Sequence, residues 1–189
     1  MAETTKKELR AEIRWLRSDL TNEYLAEASA RIQEAVMNSS AFAQSRTVFI
    51  YVSVPGEPAT DALIKAALAA GKRVCVPRCR KAPEMDAVQI QSPGQLKPGT
   101  MNIPEPEEGL PCVAPEEIDL AVVPCVSATT DGARLGHGGG YYDWFLSRTP
   151  ALRMCLCFHA LLSKTIPVQA HDLRMDCVVT EQGFAMPIK

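Results

Sequence analysis

Two short apolar runs constrain what this chain can fold into. Residues 47–54 are rich in β-branched and aromatic side chains and 118–123 in aliphatic ones, with Pro55-Gly56 closing the first run and Pro124 the second. Runs of this length read as buried strands, and strands apolar at successive positions belong to a sheet covered on both faces. Helical patterns fill the intervals. Thr5-Lys6-Lys7-Glu8 is a capping box ahead of Leu9, Ile13, Leu16 and Leu20, whose spacing predicts an amphipathic first helix. A second helix is expected from Thr21, burying Leu25, Ala28, Ile32 and Val36 and ended by the breakers at 38–40. A third covers residues 60–70, with Gly71 as its stop.

Further strands are expected over residues 72–76, 87–91, 154–158 and, last of all, 177–180, with a helix over 141–147. Strands alternating with helices predict an α/β fold, here a three-layer sandwich around a largely parallel sheet. Residues 92–115 are dense in proline and glycine and are expected to form a loop that borders a site. In such sheets ligands bind outside the carboxyl ends of the strands. The chemistry is therefore expected in residues 53–59, in the excursion after Gln91 and in residues 125–140.

Bulk properties narrow the class. A length of 189 residues fits a single domain spanning 1–189, and 47% hydrophobic with 22% charged residues is ordinary globular composition. A net charge of −2 gives no general nucleic-acid footprint. No apolar run approaches the roughly 18 residues of a membrane span, and residues 1–10 lack the apolar core of a signal peptide. A cytoplasmic protein with neither membrane nor nucleic-acid partner is expected. The cysteines, Cys75, Cys79, Cys112, Cys125, Cys155, Cys157 and Cys177, are odd in number and lack C-x-x-C spacing, so they read as reduced packing residues. A zinc site on Cys75 and Cys79 would lack a second pair.

The most informative segment runs Arg134-Leu135-Gly136-His137-Gly138-Gly139-Gly140-Tyr141-Tyr142-Asp143, after a strand and into a helix. Glycines at this density let a backbone approach a ligand, and exposed N–H groups at a helix start favour an anion such as phosphate. Arg134 adds a forked donor for phosphate oxygens, and Asp143 a hard oxygen ligand for magnesium. A second reading stays open from the residues alone: a tight turn with Arg134 and Asp143 paired on the surface. Neither G-x-x-x-x-G-K-[ST] nor G-x-G-x-x-G fits, because Tyr141 stands at the last position.

The pattern Arg134-Leu135-Gly136-x-Gly138-x-Gly140-Tyr141-Tyr142-Asp143, preceded by Val123-Pro124, resembles the signature of the 5-formyltetrahydrofolate cyclo-ligases. The resemblance extends to Lys6-x-x-Leu9-Arg10, to Ser53-x-x-x-Glu57 with Thr60 beyond, to Ile103-Pro104-Glu105-Pro106 and to His171-Asp172. It implies a Rossmann-like sheet and closure of 5-formyltetrahydrofolate to 5,10-methenyltetrahydrofolate with ATP and magnesium; a monomer or weak homodimer is expected. Residue by residue, it implies ATP binding by Lys6, Arg10 and Arg134, Leu135, Gly136, His137, Gly138, Gly139, Gly140, Tyr141 and Tyr142. Val52 and Glu57 would touch the folate, with His137, Gly138, Gly139, Gly140 and Tyr141 between the two ligands. Arg134 and Tyr141 would be catalytic, Asp143 would hold magnesium, and Asp172 is a second metal candidate. Independently, Lys6, Arg10, Arg14 and Arg17 fall on one basic helical stripe, for which a solvated face is the plain alternative.

The family's chemistry explains this inventory. The formyl oxygen is a poor leaving group; phosphorylation by ATP activates it, N10 adds to the carbon, and phosphate departs. Positioning and charge stabilisation are then the protein's share. Two stretches depart from the family pattern. Ala128-Thr129 stands where Phe-Asp is common, an exchange expected to enlarge and neutralise one wall of the site, and His159-Ala160-Leu161 replaces the expected Gln after Phe158. Ala128 and Thr129 also keep open a relative with the same ATP site acting on another small formamide or a pterin-like compound. A non-catalytic nucleotide-binding module is a third reading, opposed by the presence of both Arg134 and Asp143.

Overall fold

The computed structural model describes residues 5–99 and 103–186, so part of the start read for a signal peptide lies outside the described residues. The elements in order are α1 (Lys6–Ser18), α2 (Asn22–Met37), α3 (Ser40–Gln44), β1 (Thr47–Ile50), α4 (Asp61–Ala69), β2 (Arg73–Cys79), β3 (Met85–Ile90), β4 (Leu96–Pro98), β5 (Pro104–Pro106) and β6 (Cys112–Val113). There follow β7 (Leu120–Val123), β8 (Ser127–Ala128), β9 (Arg134–Leu135), α5 (Tyr141–Leu146), β10 (Leu152–Leu156), β11 (Cys177–Thr180) and β12 (Gly183–Met186). Eight strands form one sheet in the order β12-β11-β10-β7-β1-β2-β3-β6. The five from β11 to β2 are parallel, and β12, β3 and β6 add antiparallel edges.

The path of the chain through this sheet fixes the layers. From β1 the chain crosses through α4 to β2 on one side, and from β7 through α5 to β10 on the other. Right-handed crossovers running in opposite directions place α4 and α5 on opposite faces. The reversal lies between β1 and β7, and a crevice opens there beyond the carboxyl ends of both strands. The two strands are the apolar runs of the sequence: Val48, Phe49, Ile50 and all four residues of β7 have no exposed surface. Burial of each of these side chains larger than Ala121 stabilises the fold by about 1.5–3 kcal/mol. Phe145 of α5 stacks on Phe49 with ring centres 4.5 Å apart, which bolts the helix after the glycine segment onto β1.

Thr5 caps α1 in a capping box with Glu8, and Leu9 and Ile13 are the residues it buries. Thr21 caps α2, which buries Ala28, Ile32 and Val36, while Leu25 is only half-buried. Other expectations are corrected. β1 ends at Ile50 instead of running to 54, because the chain peels off to meet Thr60: Thr60 Oγ1 donates to the Tyr51 carbonyl (2.7 Å), and Ser53 and Thr60 exchange bonds from backbone N–H to side-chain oxygen. Residues 92–115 are not all loop, since β4 and β5 pair as a hairpin and β6 joins the main sheet. β3 is antiparallel, so the excursion after it starts at the wrong end of the sheet and reaches the crevice only where β5 packs along β2. α3, held by the Ser39 cap, was not expected, and β12 follows the strand read as the last.

Candidate functional site

A cleft of about 1610 Å³ occupies the crevice. Its lining brings together Lys6, Arg10, Val52, Glu57, Arg134, Leu135, Gly136, His137, Gly138, Gly139, Gly140, Tyr141, Tyr142, Asp143 and Asp172, all singled out from the sequence. The glycine segment is its central wall. Gly138 has φ +102°, which only glycine adopts without strain, and the Arg10 guanidinium lies over it. At Gly136 a Cβ would come within 3.0 Å of Arg134 Nη1, so the missing side chain lets that guanidinium pass. None of the N–H groups of residues 136–140 has an acceptor among the described residues. α5 spans only six residues, so what the segment offers an anion is this row of N–H groups and the nearby cations.

Arg134 is the buried cation of the site, its side chain 3% exposed. It donates to Asp143 Oδ2 (2.8 Å) and lies 5.7 Å over the Tyr142 ring, while its Nε has no acceptor among the described residues. The Arg134–Asp143 pair allowed by the plain-turn reading therefore exists, but beneath the loop rather than on the surface. The second oxygen of Asp143 accepts from the Leu173 N–H at 3.4 Å. Burial, with Glu57 and Cys79 nearby, pushes the Tyr142 phenol well up from its ordinary value, so it stays neutral. Tyr141 is half-buried, its hydroxyl 3.5 Å from the Arg80 carbonyl.

α1 roofs the cleft and touches two of its walls. Lys6 pairs with Asp172 and Arg10 Nε donates to the Gly136 carbonyl at 2.8 Å, while outside the cleft Arg17 packs over Gly56. Burial raises the Asp172 carboxyl, but the Lys6 ammonium and the Gln169 N–H outweigh it and hold the group below its ordinary value. Glu57 has a buried side chain; one oxygen accepts from the Val54 N–H and the other lies 3.2 Å from His137 Nε2. Arg14 is exposed, in keeping with a solvated face for that part of the stripe.

The sequence model of the 5-formyltetrahydrofolate cyclo-ligase family matches residues 2–181. The chain belongs to that family. It is 32% identical to the 5-formyltetrahydrofolate cyclo-ligase of Saccharomyces cerevisiae, over 95% of this chain and 96% of that protein. The mouse (Mus musculus) enzyme of the same name is 30% identical, with 96% of each chain covered. The solved structure of Aquifex aeolicus 5,10-methenyltetrahydrofolate synthetase superposes with a TM-score of 0.84 at 30% identity, covering 95% of this chain and 91% of that one.

Membership in the cyclo-ligase family gives meaning to the departures, and here the structure corrects the sequence. Ala128 and Thr129 are buried and absent from the cleft lining; they do not form its wall. Ala128 pairs with Arg134 across the β8–β9 ladder, and Thr129 Oγ1 accepts from the Ala133 N–H (2.9 Å) to close the turn. His159 is exposed in a turn whose N–H donates to Glu181, also away from the cleft. Conversely, Lys7, Tyr51, Cys79, Pro83, Trp144 and the stretch 167–171 line the cleft without having been singled out as ligand contacts. Their signal was positional: Tyr51 sits where the first apolar run meets its turn, and Lys7 stands next to a cation already noted.

No set of three or more His, Cys, Asp or Glu side chains arranged for a metal occurs among the described residues. Magnesium that arrives with phosphates needs only one or two carboxylates. Asp143 fits that demand, since it lines the cleft beside the free N–H row and each oxygen keeps a second lone pair. Asp172 fits less well, because Lys6 and the Gln169 N–H already share one of its oxygens.

Proposed function

We propose that the protein closes 5-formyltetrahydrofolate to 5,10-methenyltetrahydrofolate and that ATP and magnesium drive the reaction, with ADP and phosphate as products. The observation that carries this reading is the free N–H row of residues 136–140, set between Arg10 and the buried Arg134 in one cleft at the reversal of the sheet. Lys6, Arg10 and the loop N–H groups hold the phosphates, and Arg134 and Tyr141 face the transferring group. Val52 and Glu57 present the folate so that its formyl oxygen reaches the γ-phosphorus as ADP leaves. N10 then adds to the activated carbon and loses its proton, and phosphate departs to leave the methenyl bridge. Magnesium, held by Asp143, supplies charge neutralisation on the phosphates.

The reading of a relative acting on another formamide or pterin-like compound loses its support, because Ala128 and Thr129 do not touch the cleft. A monomer or weak homodimer acting in the cytoplasm, with 1–189 as one domain, completes the proposal. The unbridged cysteines and a continuous core from α1 to β12 support it. The test follows the methenyl product by absorbance: formation only with both ATP and magnesium is expected. No product at high enzyme concentration, with folate bound, would refute the activity.

A further inference from the structure

Two walls of the cleft, the glycine segment and the turn after β1, are tied together by one side-chain contact. His137 Nε2 lies 3.2 Å from Glu57 Oε1, and no other hydrogen bond among the described residues joins residues 136–140 to residues 53–59. A carboxylate only accepts, so the imidazole carries its proton on Nε2 and donates it. His137 is 58% exposed, so packing does not account for its place over Glu57.

Glu57 depends on this partner. The turn secures only one of its oxygens: the Glu57 N–H donates to the Val54 carbonyl (3.1 Å), and the Val54 N–H returns a bond to Glu57 Oε2 (3.2 Å), with Gly56 at φ +88° letting the chain fold back. Oε1 has His137 alone among the described residues. The neighbouring phenols do not balance the charge. Tyr51 donates to the Pro58 carbonyl, and burial first and the Glu57 charge second push Tyr51 and Tyr142 well up, so both stay neutral. No lysine or arginine pairs with Glu57 among the described residues. Its side chain is only 7% exposed, and a carboxylate so placed is costly unless donors hold it. With one donor on each oxygen, the group is fixed in orientation and keeps a second lone pair on each for a ligand.

We infer that the His137 side chain is a positioning group: it clamps the Glu57 carboxylate across the cleft and sets folate affinity through Glu57, not through its own contact with a ligand. The inference goes beyond the proposed folate reaction and rests on its assignment of Glu57 to the folate. It divides the glycine segment by role, the backbone N–H groups meeting phosphates and this one side chain serving the other substrate.

A double-variant cycle tests the clamp, with the Kd for 5-formyltetrahydrofolate read from quenching of Trp144 at the cleft and KM from product absorbance. His137→Ala should raise both about 3–30-fold, short of losing a direct bond to a charged group because Val54 still holds one oxygen, with kcat lowered less than about threefold. His137→Gln places an amide N–H where Nε2 was and should restore most of the affinity. In a Glu57→Gln background, where no carboxylate is left to hold, His137→Ala should change the Kd less than about twofold. Glu57→Asp, a carboxylate too short to meet His137, should reproduce His137→Ala and be indifferent to its addition, which keeps the cycle decisive if Glu57→Gln does not fold. An effect of His137→Ala that persists undiminished in both Glu57 backgrounds, no rescue by His137→Gln, or an unchanged Kd in His137→Ala would each overturn the clamp while leaving the folate reaction standing. A parent that binds 5-formyltetrahydrofolate without turning it over sinks the reaction alone, because the cycle is read on Kd. A parent that binds no folate removes both.

Discussion

Arg134→Lys tests the centre of the site. In the parent, Arg134 donates through Nη2 to Asp143 at 2.8 Å, reaches toward the Pro124 carbonyl with Nη1 at 3.4 Å, and leaves Nε without an acceptor among the described residues. A lysine ammonium in the same buried space can satisfy Asp143 or a phosphoryl oxygen, but its shorter, single-point head cannot do both. Loss of one charge-assisted bond costs about 1.5–3 kcal/mol of stability, which for a chain of this size lowers Tm by roughly 3–12 °C. Loss of the fork at the transferring phosphoryl group should cut kcat about 10–1000-fold, the scale of removing one electrostatic stabiliser. Product absorbance at saturating folate and ATP gives kcat, and calorimetry gives Tm. Asp143→Asn separates the two roles. If Arg134 merely holds Asp143, adding Arg134→Lys to that variant costs nothing further; if it also meets the phosphoryl group, kcat falls again. A kcat within twofold of the parent for the single variant refutes the reasoning.

Three further outcomes are expected. Asp143→Asn should raise the magnesium concentration for half-maximal rate far more than the KM for folate, because an amide oxygen is a poorer ligand for a hard cation; an unchanged magnesium titration transfers the metal to Asp172. Ala128→Phe with Thr129→Asp, which a cleft-wall position would have turned into tighter folate binding, should instead destabilise the protein by about 1–3 kcal/mol through overpacking behind Arg134. A lower KM at unchanged Tm would contradict that placement. At pH 8 a thiol reagent should label Cys112 quickly, Cys79 more slowly because burial and the Glu105 charge push its thiol up, and the other five only on unfolding, since those five are buried and burial pushes Cys75 and Cys177 up to about 12. Folate should slow the labelling of Cys79, which lines the cleft, and rapid reaction at all seven sites would contradict the core.

What could be read from the sequence follows the range of the forces involved. The Thr5 and Thr21 caps and the Gly71 stop act within a turn, and the wholly apolar composition of β7 announces burial on both faces, so these elements stand where expected. The glycine segment was legible for the same reason, being one contiguous stretch whose residues all line the cleft. Partnerships between distant residues were not legible. β1 stops early because Tyr51 and Ser53 bond to Thr60, and Ala128 is turned away from the cleft by its pairing with Arg134.

The roof formed by α1 also bears on how the site comes into being. Lys6 meets Asp172 from 166 positions away, and Arg10 meets Gly136 from 126. During synthesis α1 emerges before every other described element, yet its partners Gly136 and Asp172 follow β7 and the β8–β9 ladder in the chain and are made long after it. Contacts of such separation form late and slowly. A nascent chain can therefore hold most of its parallel sheet while the cleft beneath α1 is still open. Catalytic competence should lag behind the burial of Phe49 and Phe145, and the helix made first is the piece that completes the enzyme last.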